Sequence, residues 1–238
     1  MKLSELANKI LLAAMQPDER GRQKLVGASQ IGGCPYCLGH ALMQKEPPKG
    51  KVPAWVKAND DPEGLAAWIG TAVHYYLEHV IIPQVMEDEG RDLTKIVAED
   101  KVPIYELEGY GLIQGNIDVH DDSEIVDWKI VGDWSWNQLL MESLERPDSL
   151  PRKQYRVQQH LYAYGLRQQG FDIQQVSMAV FKKSSNSWGD IEIYTENYNQ
   201  NVVDAALHNL EAIWKLAKEE KFEELPQDEE CYVCSRSF

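Results

Sequence analysis

The stretch Gly115–Lys129, G-N-I-D-V-H-D-D-S-E-I-V-D-W-K, constrains the fold of this chain more than any other. Two runs of alternating apolar residues, Tyr110–Val119 and Glu124–Ile130, flank the polar tetrad His120-Asp121-Asp122-Ser123. Period-two alternation joined by a short Asp/Ser connection predicts a β-hairpin. Folded about that tetrad, Asp118 stands roughly opposite Ile125. Side-chain alternation then puts Ile125, Asp127 and Lys129 on its face. Ile117, Val119, Val126, Trp128 and Ile130 collect on the other, which reads as the core face. Two carboxylates and a lysine therefore converge on one side of an apolar hairpin, where ionised groups are costly unless paired or bound to metal. Two acids across neighbouring strands can share one hard cation, with the lysine beside its water or a phosphate. An exposed ion pair of little energetic worth is the plainer reading, and the hairpin alone does not choose.

The elements around the hairpin are read from periodicity. Met1–Met15 has helical spacing, at Leu3, Leu6, Ala7, Ile10, Leu11 and Ala14. Gly21–Gly33 is glycine-rich and irregular, and a helix is expected over Leu38–Gln44. Lys45–Gly64, with four prolines and no periodicity, is expected to be a loop. Leu65–Glu89 reads as a long helix with Ile69, Val73, Tyr76, Leu77 and Val80 as its apolar stripe. Gly70, His74 and Glu78 follow one another at four-residue intervals on another face, and Pro83 is placed to kink the helix. A strand is expected over Ile96–Leu107, then the hairpin, then a helix over Gly132–Glu145. Another helix is expected over Arg152–Gln169, with Val157, Leu161 and Tyr164 inward. Strands at Ile173–Lys183 and Asp190–Thr195 and a helix over Asn197–Lys221 complete the layout. Helix, three strands, helix, then strands is an α/β arrangement with a mixed sheet between helices.

At 238 residues the chain can bury the core of one domain. Its net charge is −14, from 24 basic and 38 acidic residues, which argues against a general nucleic-acid binder. The cations cluster at Arg152, Lys153 and Arg156 and at Lys182 and Lys183, so a local basic groove stays open. The N-terminal run carries Glu5 and no long apolar core, so it does not read as a signal peptide, and no stretch is long enough to span a membrane. The expectation is a cytoplasmic protein.

Four spaced motifs align: Gly70-x-x-x-His74-x-x-x-Glu78, Gly115-x-x-Asp118, Asp127-x-Lys129 and Gln158-x-x-x-Tyr162. In this order, on a helix, a hairpin and a following helix, the chain resembles the PD-(D/E)XK nuclease superfamily. The resemblance is to its RecB-like branch, which includes CRISPR-associated and phage iron–sulfur exonucleases, and it spans roughly residues 34–234. It implies a restriction-endonuclease-like core, a mixed central sheet flanked by helices, with the chain ends tied by a four-cysteine metal site. One domain is implied over 1–238, with a core at about 65–195 and Cys-bearing segments 20–45 and 222–238 as a metal-bound appendage. Carried over by position, Asp118 and Asp127 resemble the metal-binding carboxylates, joined by His74 and the backbone carbonyl of Trp128. Lys129 resembles the lysine that positions the attacking water and stabilises negative charge. Gln158 and Tyr162 resemble residues bordering the site, and Glu78 one that supports the metal ligands from behind. Gly115-x-x-Asp118 stands where the superfamily name has Pro-Asp. The implied activity is Mg²⁺- or Mn²⁺-dependent hydrolysis of DNA, as an exonuclease. The implied partners are single-stranded DNA or duplex ends, and a recombination or CRISPR protein. A histidine ligand tilts the choice toward Mn²⁺. The alternative is a non-catalytic DNA-binding or adaptor protein on the same fold. Taken singly, His74 can be an ordinary helix histidine, Gln158 and Tyr162 an i, i+4 contact, and Gly70 a close-packing position.

The four cysteines form two C-x-x-C pairs, Cys34/Cys37 and Cys231/Cys234, near opposite ends of the chain. Paired thiols of this kind point to a metal, either tetrahedral Zn²⁺ or an iron–sulfur cluster, and spacing does not choose between them. The resemblance favours [4Fe–4S], although such relatives divide their cysteines one and three rather than two and two. Cys34-Pro35-Tyr36-Cys37 also matches a glutaredoxin string. That motif should follow a strand, and Gly21–Gly33 offers none.

Overall fold

The hairpin forms the middle of a mixed sheet, in a computed structural model that describes residues 25–44, 65–88, 96–185, 187, 191–228, 231 and 234. The helix expected over Met1–Met15 and the loop expected over Lys45–Gly64 lie outside these residues. In chain order come α1 (Ala28–Ile31), α2 (Pro35–Leu42), α3 (Leu65–Tyr76), a π-helical turn (Leu77–Ile81) and α4 (Ile82–Asp88). Then follow β1 (Val97–Leu107), β2 (Gly111–His120), β3 (Glu124–Val131), α5 (Asp133–Glu145) and α6 (Lys153–Gln168). The described chain ends with β4 (Gln175–Lys182), β5 (Ile191–Asn197), α7 (Gln200–Lys218) and a 3₁₀ turn (Phe222–Glu224). The strands lie in the order β1-β2-β3-β4-β5, antiparallel except for the parallel pair β3–β4, whose connection carries α5 and α6.

The register of the hairpin differs from the expected one. Val119 pairs Val126 and His120 pairs Ile125, so Asp118 is aligned toward Asp127 rather than Ile125. The connection is shorter than the tetrad because the Asp121 carboxylate gathers it. Its Oδ1 accepts from the Ser123 N–H at 2.7 Å and the Glu124 N–H at 2.8 Å. Asp127 and Lys129, two residues apart on β3, share a face, and Asp118 stands across from them on β2. The assignment of the core face holds for Ile117, which is fully buried, and is corrected for β3. Val126, Trp128 and Ile130 are only half-buried, while Ile125, Asp127 and Val131 are buried. The cause is α6, which packs against β1, β3 and β4.

Burial along α6 extends beyond its apolar stripe. Val157 and Leu161 are buried as expected, Tyr164 is half-buried, and Gln158, Gln159, His160 and Tyr162 are buried with them. Leu161 and Leu166 are fully enclosed, and truncating either to alanine would cost about 2–5 kcal/mol. The last helix, α7, buries Val203, Ala206, Leu210, Ile213, Trp214 and Ala217, an i, i+3/i+4 stripe, and the Asn199 side chain caps it by accepting from the Asn201 N–H. One continuous core runs from Val26 through the sheet to Leu225.

The long helix is interrupted by the π-helical turn just before Pro83. Pro83 has no N–H to give the carbonyl of His79, and Ile82 donates five residues back, to Leu77. Glu78, four residues after His74, lies on the same side of the helix, beside His74 and Asp118. The expected stripe is corrected: Tyr76 and Val80 are exposed, and Glu78 is buried. No described helix is long and apolar enough to cross a membrane.

Candidate functional site

Beyond Val119↔Val126 the ladder between β2 and β3 gives way to a side chain. The Asp118 carboxylate accepts the Trp128 N–H at 2.8 Å, which bridges the two strands and aims its other oxygen at α3. There it meets His74, with Nδ1 to Oδ1 at 3.3 Å, and His74 in turn lies 3.8 Å from Oε1 of Glu78. The ligand atoms of His74, Glu78 and Asp118 all fall within 4.8 Å of one another. That spread suits one ion with oxygen and nitrogen ligands at about 2.0–2.3 Å. The trio lines a cleft of about 470 Å³ with Gly70, Tyr75 and Asn116. A Cβ on Gly70 would meet nothing within 4 Å, so this glycine faces the cleft and close helix packing does not explain it.

Asp127 turns the other way. Its Oδ2 lies 2.6 Å from the Lys129 ammonium, and Lys129 also donates to Gln158 Oε1 at 3.2 Å. Gln158 donates through Nε2 to the Tyr162 hydroxyl at 2.7 Å. The Tyr162 ring packs closely against Gly115, where an added Cβ would come within 2.2 Å of it. That contact accounts for glycine at the head of the Gly115-x-x-Asp118 motif. The Lys129 ammonium also sits 5.2 Å from the Tyr155 ring centre.

Charge in the site is balanced by neighbours rather than water. Burial pushes the Asp127 carboxyl above its usual range against the pull of Lys129, and Asp118 adds to the rise. Burial opposes a charged Lys129, but Asp127 and then Asp118 hold its pKa above the ordinary value. Lys129 is thus a cation at neutral pH. Burial likewise disfavours a charged His74, and the hydrogen bond and charge of Asp118, helped by Asp127 and Glu78, more than offset it. Burial and the charge of Asp127 push the Tyr162 phenol up.

The structure thus brings together His74, Glu78 and Asp118 at one point and Asp127, Lys129, Gln158 and Tyr162 beside it. Glu78 offers a carboxylate oxygen to the same cluster as His74 and Asp118. Gln159 was not anticipated: it is fully buried, close enough to Asp127 to favour its charged form. A run of three polar residues, Gln158-Gln159-His160, between the inward-facing Val157 and Leu161 was the available signal. Also unanticipated is the buried Glu196, which accepts from the Leu150 N–H at 2.9 Å and from Arg156 Nε at 2.8 Å, with His160 Nε2 at 3.4 Å. This ion pair occupies Arg156, while Arg152 lies 3.8 Å from Glu142 and Lys182 3.4 Å from Asp133. Much of the charge expected for a basic groove is therefore engaged within the fold.

The four cysteines meet as well. Cys34 Sγ is 3.4 Å from Cys234 Sγ, Cys37 Sγ is 3.5 Å from Cys231 Sγ and 3.9 Å from Cys234 Sγ. Burial opposes ionisation of Cys34, but the backbone of Cys37 and Asp228 and the neighbouring thiols stabilise its thiolate and lower its pKa. Burial and the same neighbours push Cys37 up, and Cys234 up to about 12. Such a cluster suits a metal centre. The segment before Cys34 carries the short helix α1 and, among the described residues, no strand, so the glutaredoxin context is missing.

No family model and no curated protein sequence matches the chain. Among solved structures it is similar to an alkaline exonuclease from Laribacter hongkongensis, with TM-score 0.52 and 11% identity over 85% of this chain and 91% of the other. It is also similar to the protein SSO0001, with TM-score 0.50 and 12% identity over 98% and 93% of the two chains. The chain shares its overall fold with these two structures.

Proposed function

We propose that this chain is a metal-dependent DNA nuclease, working as an exonuclease, with residues 1–238 acting as a single domain. The observation that carries the proposal is the meeting of His74, Glu78 and Asp118 at one point of a cleft, beside the buried Asp127–Lys129 pair. These donors fit a hard divalent ion, Mg²⁺ or Mn²⁺, with Asp118 and His74 as ligands, Glu78 joining them, and Asp127 and the Trp128 carbonyl on the β3 side. When bound, such an ion supplies an acidified water and charge neutralisation on the phosphate.

The remaining work falls to side chains of this chain. Asp118 fixes the gap between β2 and β3 through the Trp128 N–H, so its free oxygen is held in one place. Lys129 already carries its proton, so it serves as a fixed positive charge for a phosphate oxygen or an attacking hydroxide, not as a general base. Gln158 aims the lysine, and Tyr162, wedged on Gly115, fixes Gln158. Tyr75, exposed at the cleft wall, offers a ring on which a base can stack.

The test is incubation of labelled single-stranded and duplex DNA with the purified chain and Mn²⁺ or Mg²⁺. Progressive loss of nucleotides from an end, abolished by chelator and by Asp118→Asn, is the expected result. Binding without cleavage of any substrate would overturn the nuclease reading in favour of an adaptor.

A further inference from the structure

We infer that Cys34, Cys37, Cys231 and Cys234 bind one tetrahedral ion, zinc, and not the [4Fe–4S] cluster that the resemblance implied. The inference is independent of the nuclease reading, because it rests on sulfur positions outside the cleft.

The geometry is discriminating. Four thiolates about 2.3 Å from one tetrahedral ion lie about 3.8 Å from each other. Three of the separations are 3.4, 3.5 and 3.9 Å, and all four sulfurs fall within 4.8 Å of one another. A cubane cluster gives each cysteine its own iron and places sulfides between the irons. Its four thiolates stand outside a body of eight atoms and are spread correspondingly further. The space between these sulfurs holds one ion. The separations also exceed the ~2.05 Å of a disulfide, and the four thiols are free.

The surrounding fold holds this spacing. Cys34 stands at the N-terminus of α2 with Pro35 after it, and its carbonyl accepts the Leu38 N–H at 2.9 Å. The first helical turn therefore fixes Cys34 and Cys37 on one side. The C-terminal segment is tied across the same turn, with the Tyr36 N–H on the Pro226 carbonyl at 3.2 Å and the Cys231 N–H on the Asp228 carbonyl at 3.0 Å. Phe222 stacks on His40 of α2 at 4.1 Å, and Leu225 packs against Gly39 so closely that a Cβ there would meet it at 2.3 Å. Spreading the sulfurs to admit a cluster would have to move α2 against these contacts. One ion at the junction joins the two ends of the fold without disturbing them.

The test is elemental and optical, so it needs no DNA. The full chain is produced with iron and zinc both supplied and is purified without oxygen or chelator. Zinc at about one ion per chain, no acid-labile sulfide and a colourless solution are expected. Iron and sulfide in equal amounts with a brown colour would overturn the inference, as would a metal-free protein. Cys231→Ser should lose the zinc while His74→Ala keeps it, and the reverse pattern would place the zinc at the cleft and overturn the assignment. Should Cys231→Ser fail to fold, Co²⁺ replacement in the unaltered chain decides. Intense visible bands of a tetrahedral thiolate site support the assignment, and the pale spectrum of an octahedral oxygen site refutes it.

Discussion

The Lys129 ammonium lies 2.6 Å from the Asp127 carboxylate, in a pair whose side chains are 18% and 3% exposed. Removing one partner of such a pair strands the other. Lys129→Met should therefore cost about 3–5 kcal/mol of stability, besides abolishing cleavage. Asp127→Asn combined with Lys129→Met should recover most of that stability while remaining inactive. Denaturant titration of Lys129→Met, Asp127→Asn and the double variant measures the coupling. Additive losses would show that the two side chains do not depend on each other.

The site was partly legible because its residues sit at fixed offsets on regular elements. Period two placed Asp127 and Lys129 on one face, and four-residue spacing placed His74 and Glu78 on one side of a helix. The register of the hairpin was missed because the Asp121 side chain, not the backbone pattern, closes the connection. The exposure of Tyr76 and Val80 was missed because apolar spacing on this helix does not show which face meets the sheet. The pairing of Arg156 with Glu196, forty residues apart, leaves no periodic signature at all. Cysteine spacing predicted a shared centre but not which metal, since that depends on sulfur separations that only the folded chain displays.

Gly115 and Tyr162 make a second testable contact. Alanine at 115 would drive a methyl into the buried Tyr162 ring, at 2.2 Å from Cε1. Overpacking of this kind costs about 1–3 kcal/mol. Gly115→Ala should also lower activity, because it displaces the tyrosine that holds Gln158 beside Lys129. Thermal melts of Gly115→Ala alone and together with Tyr162→Ala check the cause. The alanine at 115 should be harmless once the ring is gone, and an equal penalty in both backgrounds would contradict the contact.

The buried Glu196 makes folding stability depend on pH. Burial favours its neutral form, but Arg156, His160 and the Leu150 N–H outweigh burial and lower its pKa from 4.5 to about 2. A depressed carboxylate contributes its full stabilisation above pH 4.5 and loses it as pH falls from 4.5 toward 2. The contribution is at most about 3 kcal/mol and is reduced by solvent around Arg156. Glu196→Gln should be less stable at neutral pH and show a flatter stability profile across that window. Parallel slopes for the two proteins would dismiss Glu196 as the titrating group.

The last expectation concerns Asp118, which has a structural bond and a proposed metal bond on different oxygens. Asparagine is nearly the same shape, and its carbonyl oxygen can still accept the Trp128 N–H now taken at 2.8 Å. The opening between β2 and β3 should survive, so the fold should change little. The charge is lost, however, and hard divalent ions depend on charged oxygen ligands. Asp118→Asn should thus weaken Mn²⁺ binding by roughly tenfold or more, about 1.4 kcal/mol at the least, and reduce cleavage at saturating DNA. His74→Ala should weaken the same binding event, because His74 and Asp118 face each other at 3.3 Å. Zinc bound by the cysteines should be untouched in both variants, so calorimetric titration with Mn²⁺ reads the cleft alone. Unchanged Mn²⁺ affinity in Asp118→Asn would mean that the carboxylate serves only to hold the two strands apart, and the ion would have to be sought nearer Asp127.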